Sequence, residues 1–153
     1  ERMNFERSGL LMKRDEKSCE SNLKEEEGLK WNEPIDSCLP PSHPQYRLFV
    51  FKGEEEIDSV TLSGKSFFSI GRNERVVDIP AIHPSISNQH AILQFRRNIS
   101  SVRLYLIDLG STNGTLLNGS RIDSNRYYEL LPNDILKFGS SSRDYVLIQD
   151  SEK

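Results

Sequence analysis

After Pro44 the chain is a succession of short segments rich in Val, Ile, Leu, Phe and Tyr, separated by turn-forming residues. Such segments predict strands, and several alternate apolar with polar side chains, so that one face of each strand is apolar. Turn pairs such as Ser63-Gly64 and Asn118-Gly119 fall between them. The predicted strands cover residues 46–52, 56–62, 67–71, 90–96, 102–108, 134–138 and 145–149.

This spacing decides the fold class. No stretch of twelve or more residues after Pro44 has a helical period, so the crossover helices that parallel α/β folds need are lacking. Many short strands at this spacing are typical of a sandwich of two packed sheets. The sequence therefore predicts an all-β antiparallel sandwich of about 110 residues.

Residues 1–44 have a different composition. They hold 7 basic and 10 acidic residues, and 4 of the 7 prolines lie between Pro34 and Pro44. A segment of this kind buries too little apolar surface to offset its ordering entropy, which predicts an irregular extension or linker. We expect this extension at 1–44 and the domain at 45–150. Two apolar islands, at 4–12 and 29–31, are expected to dock on the domain or on a partner, with Phe5 and Trp31 as anchors.

Charge and hydropathy exclude several classes of protein. No apolar run approaches the roughly 18 residues of a membrane-spanning helix, so we expect no membrane partner. With 20 basic and 23 acidic residues, the chain has no overall attraction for nucleic acid, and Arg96-Arg97 is the only adjacent basic pair of the domain. Cys19 and Cys38 are too few for a disulfide framework or a zinc site, and we expect free thiols.

Signatures of catalysis are equally sparse. The chain has no Gly-x-Ser-x-Gly motif and no short-spaced group of His, Cys or carboxylate residues. Gly64-Lys65-Ser66 resembles the end of a phosphate-binding loop, but a strand-like segment follows it rather than a helix. We therefore predict no enzyme activity, no metal and no cofactor.

Three polar segments remain, each at the end of a predicted strand: Gly71-Arg72, residues 87–90 and residues 110–115. Each has an ordinary explanation when taken alone, as a surface arginine, a chance pattern or a hairpin turn. Loops of a sandwich gather at its two ends, however, so the three segments can converge. A guanidinium, hydroxyls, an amide and loop N–H groups suit a phosphate. No nucleophile or base accompanies them, which predicts binding without turnover.

In order along the chain, these motifs resemble a known family. The blocks are Gly71-Arg72, Asp78-Ile79, Ser87-x-x-His90-Ala91, residues 108–115, Asn118-Gly119 and residues 131–139. Together they resemble the forkhead-associated (FHA) domain over residues 46–149. The resemblance implies an eleven-stranded β-sandwich that recognises phosphothreonine peptides through loops at one end.

The resemblance also assigns roles to residues. It implies that Arg72 and Ser87 contact the phosphate, that Thr112 adds a hydroxyl or loop contact, and that Asn113 and Asn88 bind the peptide backbone. Supporting roles fall to residues of the scaffold, namely Gly71, His90, Gly114 and Gly119. His90 is expected to tie the loop that carries Ser87, and Gly114 and Gly119 to need positive φ. Some members of the family carry a basic residue two positions before the binding serine, where this chain has Ser85.

A narrower resemblance includes the extension. Residues 4–11 and 29–34, together with residues 77–80 and 83–87, resemble the FHA subunits of the pre-mRNA retention and splicing complex. This implies a nuclear protein that acts in splicing and in nuclear retention of unspliced transcripts. The implied partners are a phosphothreonine-containing protein and splicing-complex subunits, one with an RNA-recognition motif, with RNA bound only indirectly.

Two alternatives stay open from the residues. The chain is a phosphate-independent scaffold if the extension and a sheet face do the binding. Direct RNA binding, the third hypothesis, predicts a steep dependence on salt but lacks the aromatic residues interleaved with basic ones that stack on bases.

Overall fold

The computed structural model describes residues 28–42 and 44–150. The chain divides into two compact units after Lys30, and the strands of the described residues all lie in the second unit. The apolar island at 4–12 and Cys19 lie outside the described residues. Cys38 is a free thiol. Across the described part of the chain, no helix has the length and apolar character needed to cross a membrane.

The described residues form an all-β fold of eleven strands, which confirms the predicted class. All seven predicted strands are present, with bounds shifted by a residue or so. Four strands of two or three residues were not predicted from the residue pattern. In chain order the strands are β1 Gln45–Lys52, β2 Glu55–Leu62, β3 Phe67–Gly71, β4 Ile79–Pro80, β5 Ala91–Arg97, β6 Val102–Asp108, β7 Thr115–Leu117, β8 Ser120–Arg121, β9 Tyr127–Glu129, β10 Ile135–Phe138 and β11 Arg143–Asp150.

The strands form two sheets. One has the order β9-β6-β5-β3-β4, and the other has the order β2-β1-β11-β10-β7-β8. The strand pairs are antiparallel, as predicted, except for β3 and β4, which pair in parallel over two residues. The exception arises because the chain leaves Gly71, turns through residues 72–78 and returns beside the strand it left, where the Ala81 N–H donates to the Gly71 carbonyl at 2.7 Å.

The core lies between the inner faces of the two sheets. Alternate residues of β1 and β11 are buried, as expected for strands with one face in the core and one face toward solvent. The fully buried side chains of greatest volume are Tyr145, Phe95, Phe138, Leu48, Leu62, Ile70, Ile86, Ile92, Leu93, Leu104, Leu106 and Leu136.

One end of the sandwich gathers the polar segments. Ile70, one residue before the end of β3, pairs with Ala91, the first residue of β5, and Ala91 pairs with Asp108, the last residue of β6. In the other sheet, the start of β7 pairs with the end of β10 through Thr115 and Phe138. The loops after Gly71, before Ala91 and after Asp108 therefore leave the same end, which we call the rim.

Part of the predicted extension packs on the five-stranded sheet. Residues 31–38, called here the N-terminal strap, contact the side of β5 opposite the core. Trp31 Nε1 donates to Oε1 of the fully buried Gln94 at 3.0 Å, and Gln94 Nε2 donates to Ser37 Oγ at 3.0 Å. The Trp31 ring also packs edge-on against Tyr127, with 6.3 Å between ring centroids. The strap therefore covers a face that most sandwiches leave in water.

An ion pair fixes the strap further along. Arg96 donates two hydrogen bonds to Asp36, at 2.8 and 3.0 Å, in the fork geometry that favours arginine over lysine. The same guanidinium stacks over the ring of Tyr127, 4.3 Å from its centroid. The hydrogen bond from Arg96 lowers the pKa of the Asp36 carboxyl. Arg96 is thus engaged within the molecule, which weakens the basic pair on which RNA binding depended.

We predict that Trp31→Ala lowers the free energy of unfolding by about 1–3 kcal/mol, because it removes ring packing and leaves the buried Gln94 carbonyl without its donor. Urea unfolding followed by far-ultraviolet circular dichroism measures this. The matched control is Ile35→Ala in the same strap, where the side chain is fully exposed and no change is expected. Equal stability of the Trp31 variant and the wild type would contradict a structural role of the strap.

Candidate functional site

The rim begins where β3 passes close to the loop before β5. A Cβ placed on Gly71 would lie 2.8 Å from the carbonyl carbon of Asn88, closer than side-chain carbons approach, so the position needs glycine. This approach lets the Arg72 N–H donate to the Ser87 carbonyl at 3.0 Å. Gly71 thus brings the backbone of Arg72 next to that of Ser87.

The side chain of Arg72 is half-buried against the same loop. Its Nη1 donates to the Pro84 carbonyl at 3.1 Å, and its Nε is 3.4 Å from Asn88 Oδ1. A guanidinium has five N–H groups. Within the described residues two of them are used, and the other three remain for a ligand.

The loop after β6 meets Ser87 from the other side. The Thr112 N–H donates to Ser87 Oγ at 3.3 Å, and Asn113 Nδ2 donates to the Ser85 carbonyl at 2.7 Å. Ser87 keeps its hydroxyl proton for a ligand, and Asn113 keeps its amide oxygen and one N–H. The structure thus brings together all five residues that the sequence placed in the site: Arg72, Ser87, Asn88, Thr112 and Asn113.

His90 lies beneath this meeting point and is fully buried. Its Nδ1 accepts from the Ser87 N–H at 3.1 Å, and its Nε2 donates to the Gly114 carbonyl at 3.0 Å. These partners require the neutral ring with its proton on Nε2. Burial lowers the pKa of His90, and the Gly114 carbonyl and the Asp108 carboxylate oppose the shift without reversing it. His90 therefore ties the two loops together as an uncharged bridge.

Asp108 organises the loop after β6, a role that the sequence analysis did not assign to it. The buried carboxylate accepts from the N–H groups of Gly110 and Ser111, and from the hydroxyls of Ser111, Thr115 and Ser124. Burial raises the pKa of Asp108, but these hydrogen bonds together outweigh it, so the pKa lies below its ordinary value. An aspartate two residues before a glycine is a common turn signal, and it was visible in the sequence.

Two turn glycines complete the frame. Gly114 and Gly119 have φ of 86° and 89°, a region that other residues rarely adopt. At Gly114 this shape places the carbonyl on His90, and at Gly119 it closes the turn between β7 and β8. Among residues 28–42 and 44–150, no group of three or more His, Cys, Asp or Glu residues is placed to hold a metal ion.

The lowered pKa of His90 predicts a pH dependence of stability. The unfolded chain protonates this imidazole below about pH 6.5, whereas the folded protein resists protonation until its lower pKa is reached. The contribution of His90 to the free energy of unfolding is therefore fully present above about pH 6.5. It falls as the pH drops from there toward the lower pKa of the folded protein, by at most about 1.4 kcal/mol per pH unit. Urea midpoints between pH 5 and 8 measure the fall.

One variant attributes the fall to His90. His90→Gln removes the buried imidazole and is expected to flatten the fall. If the His90 variant does not fold, the imidazole resonances of the wild-type protein report the His90 pKa directly. A His90 pKa at or above 6.5 would refute the neutral bridge.

Comparisons with known proteins agree with this geometry. Residues 68–139 match the family model of the FHA domain. Mouse Smad nuclear-interacting protein 1 is 39% identical over an alignment of 160 residues, gaps included, which covers 99% of this chain and 40% of that protein. The chain thus spans less than half the length of this curated relative.

Solved structures give the same result. The yeast Pml1 splicing factor, described with its integration into the RES complex, has a TM-score of 0.73 at 26% identity, covering 82% of this chain and 100% of its own. The FHA domain of TbPar42 has a TM-score of 0.63 at 30% identity, covering 88% of this chain and 70% of its own. The chain therefore belongs to the FHA-domain family, and it is similar to mouse Smad nuclear-interacting protein 1 over 99% of its length and to yeast Pml1 over 82%.

Proposed function

We propose that this chain is a non-catalytic module that binds phosphothreonine peptides within a nuclear, splicing-associated complex. The observation that carries the proposal is the convergence of three loops, joined by the contacts of Arg72, Thr112 and Asn113 with residues 84–88. Their remaining hydrogen-bonding groups are mostly donors, which suits an anion rich in acceptor oxygens.

Each role follows from the donors and acceptors that a residue does not use within the protein. The three remaining N–H groups of Arg72 supply charge to the phosphate, and the hydroxyl protons of Ser87 and Thr112 reach its other oxygens. The amide of Asn113 donates to and accepts from an extended peptide backbone, and Asn88 holds Arg72 in place. None of these groups is a nucleophile activated by a base, so the site is suited to binding rather than to reaction.

The cellular role rests on the relatives. One carries nuclear interaction in its name, and another is a splicing factor of the RES complex. We propose a nuclear location, a role in pre-mRNA splicing and in retention of unspliced transcripts, and protein partners that include splicing-complex subunits, one of them with an RNA-recognition motif. RNA is contacted only through those partners.

We expect Arg72→Ala to weaken binding of a phosphothreonine peptide by about 10- to 100-fold, because a charge-assisted hydrogen bond contributes roughly 1.5–3 kcal/mol. Fluorescence anisotropy with a degenerate phosphothreonine library, and then with its best member, measures the affinity. The unphosphorylated peptide gives the baseline.

Arg97→Ala is the matched control for this variant. Arg97 is exposed at the far end of β5, roughly 20 Å from the rim along seven residues of strand. Its loss should leave the affinity unchanged. Unaltered affinity of the Arg72 variant, or equal losses in both variants, would rule out a phosphate site at the rim.

A second function is favoured by two exposed apolar side chains in and beside the N-terminal strap. Ile35, in the strap, is fully exposed, and Leu39, directly after it, is 63% exposed, whereas Trp31 packs on the sandwich. These side chains suit a phosphate-independent scaffold. Pull-downs from nuclear extract, with and without phosphatase treatment, separate the two functions. Association that survives phosphatase but is lost in an Ile35→Ser, Leu39→Ser double variant would replace the reader with the scaffold.

A further inference from the structure

Arg121 lies beside the rim without belonging to the predicted site. The turn at Asn118-Gly119 folds β8 back along β7, so that Arg121 pairs with Leu116. Its side chain then crosses over Gly114, and a Cβ placed on Gly114 would lie 2.7 Å from Arg121 Cζ. The guanidinium therefore rests on the residue that directly follows Asn113.

The charge of Arg121 has no counterpart in the described part of the chain. Three other exposed or half-exposed arginines there form ion pairs: Arg96 with Asp36, Arg103 with Glu129 and Arg126 with Asp123. Within the described residues, Arg75 and Arg97 are exposed without an ion pair, as Arg121 is, but only Arg121 lies against the loop that carries Asn113. No such pair, and no hydrogen bond from its guanidinium, is formed by Arg121. A solvent-facing cation next to a binding loop is open to an anionic group of a ligand.

The distance between Thr112 and Gly114 determines which part of a bound peptide lies near Arg121. Thr112 and Gly114 are two residues apart, so their Cα atoms are separated by no more than about 7.6 Å. An extended peptide advances roughly 3.3 Å per residue. A peptide whose phosphate lies at Thr112 and whose backbone lies on Asn113 passes Arg121 about two to four residues from its phosphothreonine.

We infer that Arg121 is a specificity-determining residue, which selects phosphothreonine peptides with an acidic side chain two to four positions from the phosphothreonine. This inference rests on the proposed function and narrows its ligand class. The attraction is between exposed charges, so it is modest and screened by salt.

The test uses a phosphothreonine peptide of otherwise neutral sequence in which Asp replaces Ala at each position from four before to four after the phosphothreonine. For the wild-type chain at low salt, we expect Asp at one position, two to four residues away, to tighten binding by about two- to fivefold. In Arg121→Gln, that preference should disappear while the affinity for the all-Ala phosphopeptide stays within about twofold. Raising the salt to 1 M should erase the preference in the wild type.

Arg97→Gln is the matched control, since it removes the same charge at the far end of β5 and should keep the Asp preference. A preference that persists in Arg121→Gln, or that is lost equally in Arg97→Gln, overturns the inference, as does a wild-type chain that shows no Asp preference. These outcomes all require that the phosphopeptide binds. Failure of the all-Ala phosphopeptide to bind more tightly than its unphosphorylated form instead overturns the proposed function.

Discussion

The neutral imidazole of His90 is the interaction on which the rim depends. One ring nitrogen accepts the Ser87 N–H and the other donates to the Gly114 carbonyl, so a single buried side chain sets the separation of two loops from different strand pairs. A buried imidazole with both nitrogens satisfied has little to gain from protonation, and the low polarity around it opposes the charge. Burial therefore keeps the His90 ring neutral, with its proton on Nε2. The two hydrogen bonds of this tautomer hold the two loops at a fixed separation.

The charges around that bridge differ between the buried aspartate and the arginine of the rim. Asp108 is ionised and lies 3.8 Å from His90 Nε2, but five donors share its charge, four from residues 110–115 and the fifth from Ser124. Those donors are drawn inward, toward the carboxylate. Arg72 is instead held by two neutral oxygens, so its positive charge is not cancelled. The loop is thus ordered by one buried anion, and a cation faces outward above it.

The sequence predicted the long strands and the residues of the rim because both leave local signals. Apolar segments between turn residues identified β1 and β11, and polar residues at strand ends identified the segments 71–72, 87–90 and 110–115. The resemblance to the FHA family then singled out Arg72, Ser87 and Asn113 within these segments. Strands of two or three residues, such as Ile79–Pro80 and Ser120–Arg121, are too short for any period and exist because longer neighbours offer them partners. Arg121 was missed for this reason. For the strap, the sequence predicted an irregular extension with Trp31 as a docking anchor on the domain or on a partner. It did not predict the pairs that order the strap, Asp36 with Arg96 and Trp31 with Gln94, because a composition rich in proline and charge does not reveal such pairs.

Because the loops of the rim are joined to each other in the folded protein, their conformational entropy is lost during folding rather than on binding. The loops are joined to each other by Thr112, Asn113 and His90, and not through a ligand, so a peptide that docks there has few side chains left to immobilise. Under the proposed function, the contacts with the phosphate would be common to all suitable peptides and would set a shared affinity. Discrimination must come from groups that the frame does not use, at the edge of the rim, where water screens charge and each contact contributes little. Under the proposed function, we therefore expect tight but permissive binding of the phosphate and weak selection among flanking residues, both as consequences of one preformed frame.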